Sequence, residues 1–306
     1  MDEHRFIDSV LRPFAGIGSE GLDDDCAWIE VGERWLVVST DTSVEGVHFP
    51  RSVQGAAATE RAVRVALSDI YAKAAEPIGF VVAVSAPRSA DDLMMRAYGA
   101  GLEQVSLSLG VPMLGGDTVR HGGVLSVTVT AIGWAPRKLL RSGAACGDNI
   151  WVSGAIGPAS LGLRYLQGDV GLPDPTGDEL VSWEEAFLRP TVGAVAALEW
   201  ATSSIDVSDG LLADLNHIAD ASGVRCEISS QSIPFGPAQR YAEIVGAVED
   251  LVTAGDDYAV VFTSKPSAVV GGATRIGTVK EGSGVCLLDG RGRDITPAKL
   301  GYSHSS

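Results

Sequence analysis

Aspartates recur at the ends of apolar segments in this chain, and a carboxylate placed there is costly unless a cation meets it. Asp24 and Asp25 precede Cys26-Ala27-Trp28-Ile29, Asp41 follows Trp35 to Thr40, and Asp69 closes Val63 to Ser68. Asp117 follows Gly115-Gly116, and Asp206 and Asp209 sit in Ile205-Asp206-Val207-Ser208-Asp209-Gly210. Singly, each suits an N-cap or a turn. Together, five stations with few Lys or Arg nearby imply divalent cations, and hard carboxylate oxygens suit Mg²⁺. Mg²⁺ gathered by carboxylates usually accompanies phosphate chemistry.

A chain of 306 residues has room for two domains, each with its own core. Apolar residues make up 45% and charged residues 20%, the balance of a globular protein. No apolar run approaches the roughly 20 residues a membrane helix needs. The opening Met1-Asp2-Glu3-His4-Arg5-Phe6 lacks the basic-then-apolar order of a secretory signal, which points to the cytoplasm. Cys26, Cys146, Cys226 and Cys286 lie far apart with no Cys-x-x-Cys pair. That spacing argues against a zinc site or a disulfide framework and for reduced, mostly buried thiols. A net charge of −16 disfavours nucleic acid as a partner. It leaves a nucleotide open, because bound Mg²⁺ reverses the local sign.

Periodicity predicts a short helix over Arg5 to Leu11, then strands over Leu36–Thr40, Ile78–Ala86 and Val124–Trp134. Helices are predicted over Ala56–Ala74 and Asp91–Leu109. Gly115-Gly116-Asp117 has the backbone freedom to let amides approach a phosphate while the carboxylate holds a metal. This order suits an α+β sandwich with helices on one face of a sheet. Pro136-Arg137-Lys138 marks a boundary, after which similar grammar resumes. Strands are expected at Asn149–Ser153, Cys226–Ile228 and Ala259–Thr263, a strand and turn at Ser204–Gly210, and helices at Ala159–Leu166, Glu179–Leu188 and Leu211–Ser222. The six tryptophans are expected to pack.

In series, these motifs resemble the thiamine-monophosphate kinase family. Leu22-Asp23-Asp24-Asp25-Cys26-Ala27, Ser39-Thr40-Asp41-Thr42-Ser43-Val44-Glu45-Gly46-Val47-His48-Phe49 and Leu67-Ser68-Asp69-Ile70 carry the likeness. So do Gly115-Gly116-Asp117-Thr118, Arg141-Ser142-Gly143-Ala144 with Gly147-Asp148, Asp206 to Leu211, Gly255-Asp256-Asp257-Tyr258 and Gly301-Tyr302-Ser303-His304. They stand in family order from about residue 16 to residue 304. The resemblance implies two α+β domains of the aminoimidazole ribonucleotide synthase type with mixed or antiparallel sheets, residues 1–137 and 138–306, and a homodimer formed through first-domain sheets. It implies ATP and several Mg²⁺ ions, with thiamine monophosphate as acceptor.

The resemblance assigns metal ligation to Asp25, Ser39, Thr40, Asp41, Asp69, Asp117, Asp206 and Asp209, with Asp41 and Asp209 central to catalysis. It places Gly116, Asp117, Arg141 and Ser208 at the nucleotide, and His48, Asp256 and Tyr302 at the acceptor. Tyr98 is a weaker candidate for adenine contact. Ordinary roles stay open for several: an N-cap for Asp209, a surface ion pair for Arg141, packing for Tyr302. A phosphate monoester is largely a dianion at neutral pH, so the acceptor needs no strong base. Direct in-line transfer is therefore expected rather than a phosphoenzyme. Three departures bear on the acceptor end. Arg189-Pro190-Thr191-Val192-Gly193 lacks a second Pro-Arg, Asp256-Asp257-Tyr258-Ala259 replaces Glu-Asp-Tyr-Glu, and Ser305 replaces a terminal aromatic. They keep open a related ATP-dependent enzyme with another small acceptor, or a non-catalytic Mg·ATP-binding paralogue.

Overall fold

A computed structural model describes residues 3–302 apart from 170, 173 and 247. Ser303, His304 and Ser305, on which part of the C-terminal expectation rests, lie outside the described residues. Helix α1 (Glu3–Phe6) runs into a π turn (Ile7–Leu11) and a 3₁₀ turn, where one regular helix was expected. Then come β1 (Ala27–Val31), β2 (Arg34–Val44), α2 (Ala56–Ala72), β3 (Glu76–Pro87), α3 (Asp92–Leu109), β4 (Met113–His121) and β5 (Ser126–Ala135). These strands form one five-stranded sheet in the order β1-β2-β5-β3-β4, antiparallel except for the β3–β4 pair. In β5, Val127, Val129 and Ala131 are buried while Ser126, Thr128 and Thr130 alternate outward, the half-buried pattern the sequence shows.

The second sheet is built from later chain. Its elements are β6 (Asn149–Val152), α4 (Pro158–Leu166), α5 (Gly177–Leu188), β7 (Ala201–Asp206), α6 (Leu211–Ser222), β8 (Arg225–Ser229), α7 (Gln239–Val245), α8 (Val248–Thr253), β9 (Val260–Ser264), β10 (Thr274–Lys280) and β11 (Gly284–Leu288). The six strands lie in the order β11-β8-β10-β6-β9-β7, antiparallel except for β8–β11. Helix α3 starts on an Asp91 cap (2.8 Å to Met94 N) and stops at Gly110 in the left-handed region. Helix α5 opens with a Thr176–Glu179 capping box. Among the described residues, no helix is long and apolar enough to cross a membrane.

Helix α2 joins the two halves. Its alanines let it lie close against β2 and β5, and it also meets β7 and α5 of the second half. It is therefore buried around most of its circumference, including Glu60, Arg61 and Ser68. Buried charge demands partners. Glu60 receives Arg64 (2.9 Å) and Arg189 (3.0 Å), so the arginine of the shortened Arg189-Pro190 segment is used inside the fold.

Strand register decides where Asp117 lies. Gly115-Gly116-Asp117 forms the middle of edge strand β4. Asp41, Val129, Val82 and Gly116 form one row across the sheet, and Thr42, Thr128, Ala83 and Asp117 form the next. Adjacent rows face opposite sides. Val82 and Val129 are buried on the α2 side, with Asp41, whereas Thr42 and Asp117 lie on the open side and are exposed. Gly116 is three strands from Asp41, about 14 Å at ~4.8 Å per strand. Its missing side chain serves the sheet, since a Cβ would meet Val82 O at 2.0 Å.

Two smaller expectations also change. Tyr98 is buried on α3, where its carbonyl accepts from Thr59 Oγ1 at 2.8 Å. Trp28 and Trp183 are core residues, but Trp200 is half exposed. Three cysteines are buried and Cys146 is exposed, all four as free thiols.

Candidate active site

A cleft of about 1430 Å³ opens between the two halves. Asp25, Ser39, Thr40, Asp41, His48, Asp69, Arg141, Asp206, Ser208, Asp209, Asp256 and Tyr302 all line it, whereas Gly116 and Asp117 do not. The expected set thus separates into residues the fold brings together and the β4 pair it leaves outside.

At the centre, Asp25, Asp69 and Asp206 have carboxylate oxygens within 4.8 Å of one another. Each arrives on a different element. Asp25 stands just before β1, Asp69 in the last turn of α2, and Asp206 at the end of β7 in the second sheet. The alternation Ser39, Asp41, Ser43 in β2 turns Asp41 toward the same side, and Ser39 donates a hydrogen bond to Asp69. Thr40 points the other way and pairs with Thr130 at 3.0 Å, so only its backbone carbonyl remains for a ligand on the cleft side. Burial, then Asp206, Asp41 and Asp25 in turn, push the Asp69 carboxyl well above its ordinary range. Burial and the charge of Asp25 raise Asp41 and Asp206 too, to about 6 and about 7. Crowded, dry carboxylates that resist ionisation are a place where a hard cation fits. The donors are oxygens, which suits Mg²⁺.

The sequence reading expected few cations here, and the structure corrects that. Lys73, the residue capping α2, is completely buried. Its ammonium reaches Asp24 (2.7 Å), Asp25 (2.5 Å) and the Ser204 carbonyl (2.9 Å). Arg141 also binds Asp25, through Nε at 2.8 Å, while its backbone N–H donates to Asp24 at 3.0 Å. Burial alone would raise Asp25, but Lys73 and Arg141 overcome it and hold the carboxyl down to about 2. Asp24 is used up structurally, because its other oxygen accepts from Trp28 Nε1 at 2.8 Å. Arg141 keeps about a quarter of its side chain exposed on the cleft wall.

Beyond β7 the chain turns through Val207-Ser208-Asp209. Gly210, at φ 126° and without room for a Cβ beside Thr253, is the N-cap of α6. Asp209 is therefore not the side-chain cap. Asp214, missed in the sequence reading, folds back so that its carboxylate accepts from the Asp209 and Gly210 N–H groups, both at 3.2 Å. Asp209, Asp214 and His217 also bring ligand atoms within 4.8 Å of one another. The signal for Asp214 and His217 was helical spacing one turn apart behind Asp209-Gly210.

The wall of the cleft that packs on Val207 to Asp209 is made of turns. Asp256 and Tyr258 both hold positive φ, 74° and 51°, a strained setting for non-glycine residues. Their N–H groups bond the Ser208 and Val207 carbonyls at 2.9 and 2.8 Å. Buried Arg61 clasps Asp256 and lies 3.9 Å from the Phe187 ring centre. Arg61 was not foreseen, being one arginine in an alanine-rich helix. Tyr302 is anchored by its N–H on Asp209 O (2.9 Å) and leaves half its side chain exposed. His48 accepts from Val44 N through Nδ1 at 3.1 Å, in the turn that follows β2.

Comparison with known proteins agrees with this fold. The family model for AIR synthase related protein, N-terminal domain, matches residues 23–135. Thiamine-monophosphate kinase of Caulobacter vibrioides is 35% identical over 323 residues, covering 99% of this chain and 90% of that protein. The Aquifex aeolicus enzyme of the same name is 31% identical over 299 residues, covering 95% of each. The solved structure of AaThiL complexed with AMPPCP and TMP has a TM-score of 0.86 at 28% identity, covering 99% of this chain and 97% of that one.

Proposed function

The chain belongs to the thiamine-monophosphate kinase family, and from that premise we propose that it transfers the γ-phosphoryl group of ATP to thiamine monophosphate. The products are ADP and thiamine diphosphate. The observation that carries this reading is the convergence of Asp25, Asp69 and Asp206, from both halves of the fold, in one cleft.

Mg²⁺ bound by Asp25, Asp69, Asp206 and Asp41, with Ser39, the Thr40 carbonyl and Asp209 at the margin, would neutralise phosphate charge and orient the two substrates. Asp41 and Asp209 flank the cradle from opposite halves and fix its geometry. Arg141 is the phosphate-facing cation, suited to it by a planar fork. Ser208 presents a hydroxyl beside the α6 N-terminus, where backbone N–H groups favour an anion. At the other end, Tyr302 offers a ring for stacking, and Asp256 offers a carboxylate whose position Arg61 fixes. His48 closes that wall. The acceptor phosphate is already ionised, so no group here has to act as a strong base.

Residues 1–137 then form a metal, nucleotide and dimerisation domain, and 138–306 complete the nucleotide and acceptor sites. The open side of the first sheet exposes Ile29, Val31, Val81 and Val119, an apolar strip suited to a second copy of the chain. Free thiols, most of them buried, suit a reducing cytoplasm. The test is ADP release with ATP, Mg²⁺ and a panel of acceptors. Turnover with thiamine monophosphate and none with thiamine is expected. Turnover only with a different phosphorylated acceptor would reassign the substrate, and ATP binding without any turnover would make the chain a non-catalytic binder.

A further inference from the structure

Lys73 is the fully buried cation at the cradle and lies outside the motifs that carry the family likeness. It sits at the C-terminal end of α2, where three carbonyls, those of Asp69, Ile70 and Tyr71, crowd its backbone N–H and the helix dipole is negative. The next residue, Ala74, takes φ 52°, a turn that glycine makes more easily. That turn ends the helix and lets the ammonium reach Asp24, Asp25 and Ser204 O, all within 2.9 Å. One contact is to the strand β7 that ends in Asp206, and another to a member of the carboxylate triad itself. A cation tied at three points and sealed from water cannot leave when a metal arrives.

We propose that Lys73 is a fixed cation of the metal cradle, a positioning residue that holds Asp25 in place and partly neutralises the cluster before any divalent ion binds. The inference rests on the reading of Asp25, Asp69 and Asp206 as metal ligands. Its consequence is that the protein alone binds Mg²⁺ weakly. Two positive centres sharing Asp25 repel each other, so the phosphates of ATP supply the remaining negative charge and the metal is held well only with the nucleotide. A purely structural lysine would have no such effect on metal affinity.

The experiment is calorimetric titration with Mg²⁺ alone, on wild type and Lys73→Met, a substitution close in length that carries no charge. Lys73→Met should bind Mg²⁺ at least tenfold more tightly, and Mg²⁺ should raise its melting temperature more than it raises that of wild type. In the Asp24→Asn background the lysine has one carboxylate fewer to neutralise and its loss is better tolerated. There Lys73→Met should again tighten Mg²⁺ binding, which keeps the test decisive where the single variant fails to fold. Unchanged or weaker Mg²⁺ affinity on removing the lysine would overturn the proposal. Failure of every form, wild type included, to bind Mg²⁺ even with an ATP analogue would instead overturn the metal reading of the cradle.

Discussion

The two ends of the cleft are built differently. The carboxylate end hangs on regular elements: β2, the last turn of α2 and the end of β7. Its charges are buried and tied by Lys73 and Arg141. The end proposed for the acceptor is made of turns, with two non-glycine residues at positive φ and a tyrosine half in solvent. The difference teaches where each demand is met. Charge placement to within an ångström needs rigid scaffolding, whereas recognition of one small molecule among many can be carried by loops. It also follows that substitutions at the first end should destroy turnover, and those at the second should shift acceptor affinity.

The largest effect should come from Asp41→Asn, which keeps shape and removes one cradle charge. A fall in kcat of at least about a thousandfold, roughly 4 kcal/mol of barrier, is expected with the fold intact. Retention of more than about a tenth of the activity, measured by ADP release, would break the division between the two ends. Arg61→Ala should be next. It leaves Asp256 without its cation and should cost about 3 kcal/mol in denaturant unfolding, in the range for breaking a buried pair. It should also raise KM for thiamine monophosphate more than for ATP; a stability loss with both KM values unchanged would detach Arg61 from the acceptor end.

A third test concerns protons. Burial and Asp25 raise Asp206 to about 7, well above an unfolded aspartate near 4. A raised acid contributes stability that is present below the unfolded value and is lost as pH rises through the folded one. In EDTA, wild type should therefore lose stability relative to Asp206→Asn between pH 5 and 7, by at most about 1.4 kcal/mol per pH unit. Parallel stability–pH curves for the two proteins would mean that Asp206 is not crowded as described. Tyr302→Ala should have the smallest effect. Loss of one stacking ring is worth about 1 kcal/mol, which raises KM for thiamine monophosphate several-fold and leaves KM for ATP nearly constant. An equal rise for both substrates would place Tyr302 in the support of the second half rather than at the acceptor.

Much of the carboxylate end was readable because a polar residue that closes an apolar run has few structural excuses. Asp25, Asp41, Asp69, Asp206 and Asp209 were all found in that way and all reach the cleft. Asp117 obeys the same local rule but stands on an exposed strand face outside the cleft, since its destination depends on sheet order and on which face its row presents. Neither is encoded within a few residues of Gly115-Gly116. Lys73 went unseen for the opposite reason: Ala72-Lys73-Ala74-Ala75 shows a lone lysine, and its partners Asp24 and Ser204 lie far away in sequence. Arg61 and Asp214 were hidden likewise, inside helices whose pattern announces packing. Helix and strand order is well marked by periodicity, while β4 is not, because its paired glycines interrupt the alternation a strand shows.

The most direct test of the central claim, that both halves of the chain build one cradle, is Mn²⁺ binding followed by electron paramagnetic resonance in the presence of an ATP analogue. Asp69→Asn alters the first half and Asp206→Asn the second. Both substitutions should weaken the same binding event, each by at least about tenfold, or roughly 1.4 kcal/mol. Loss of binding in one variant with wild-type binding in the other would contradict a shared cradle.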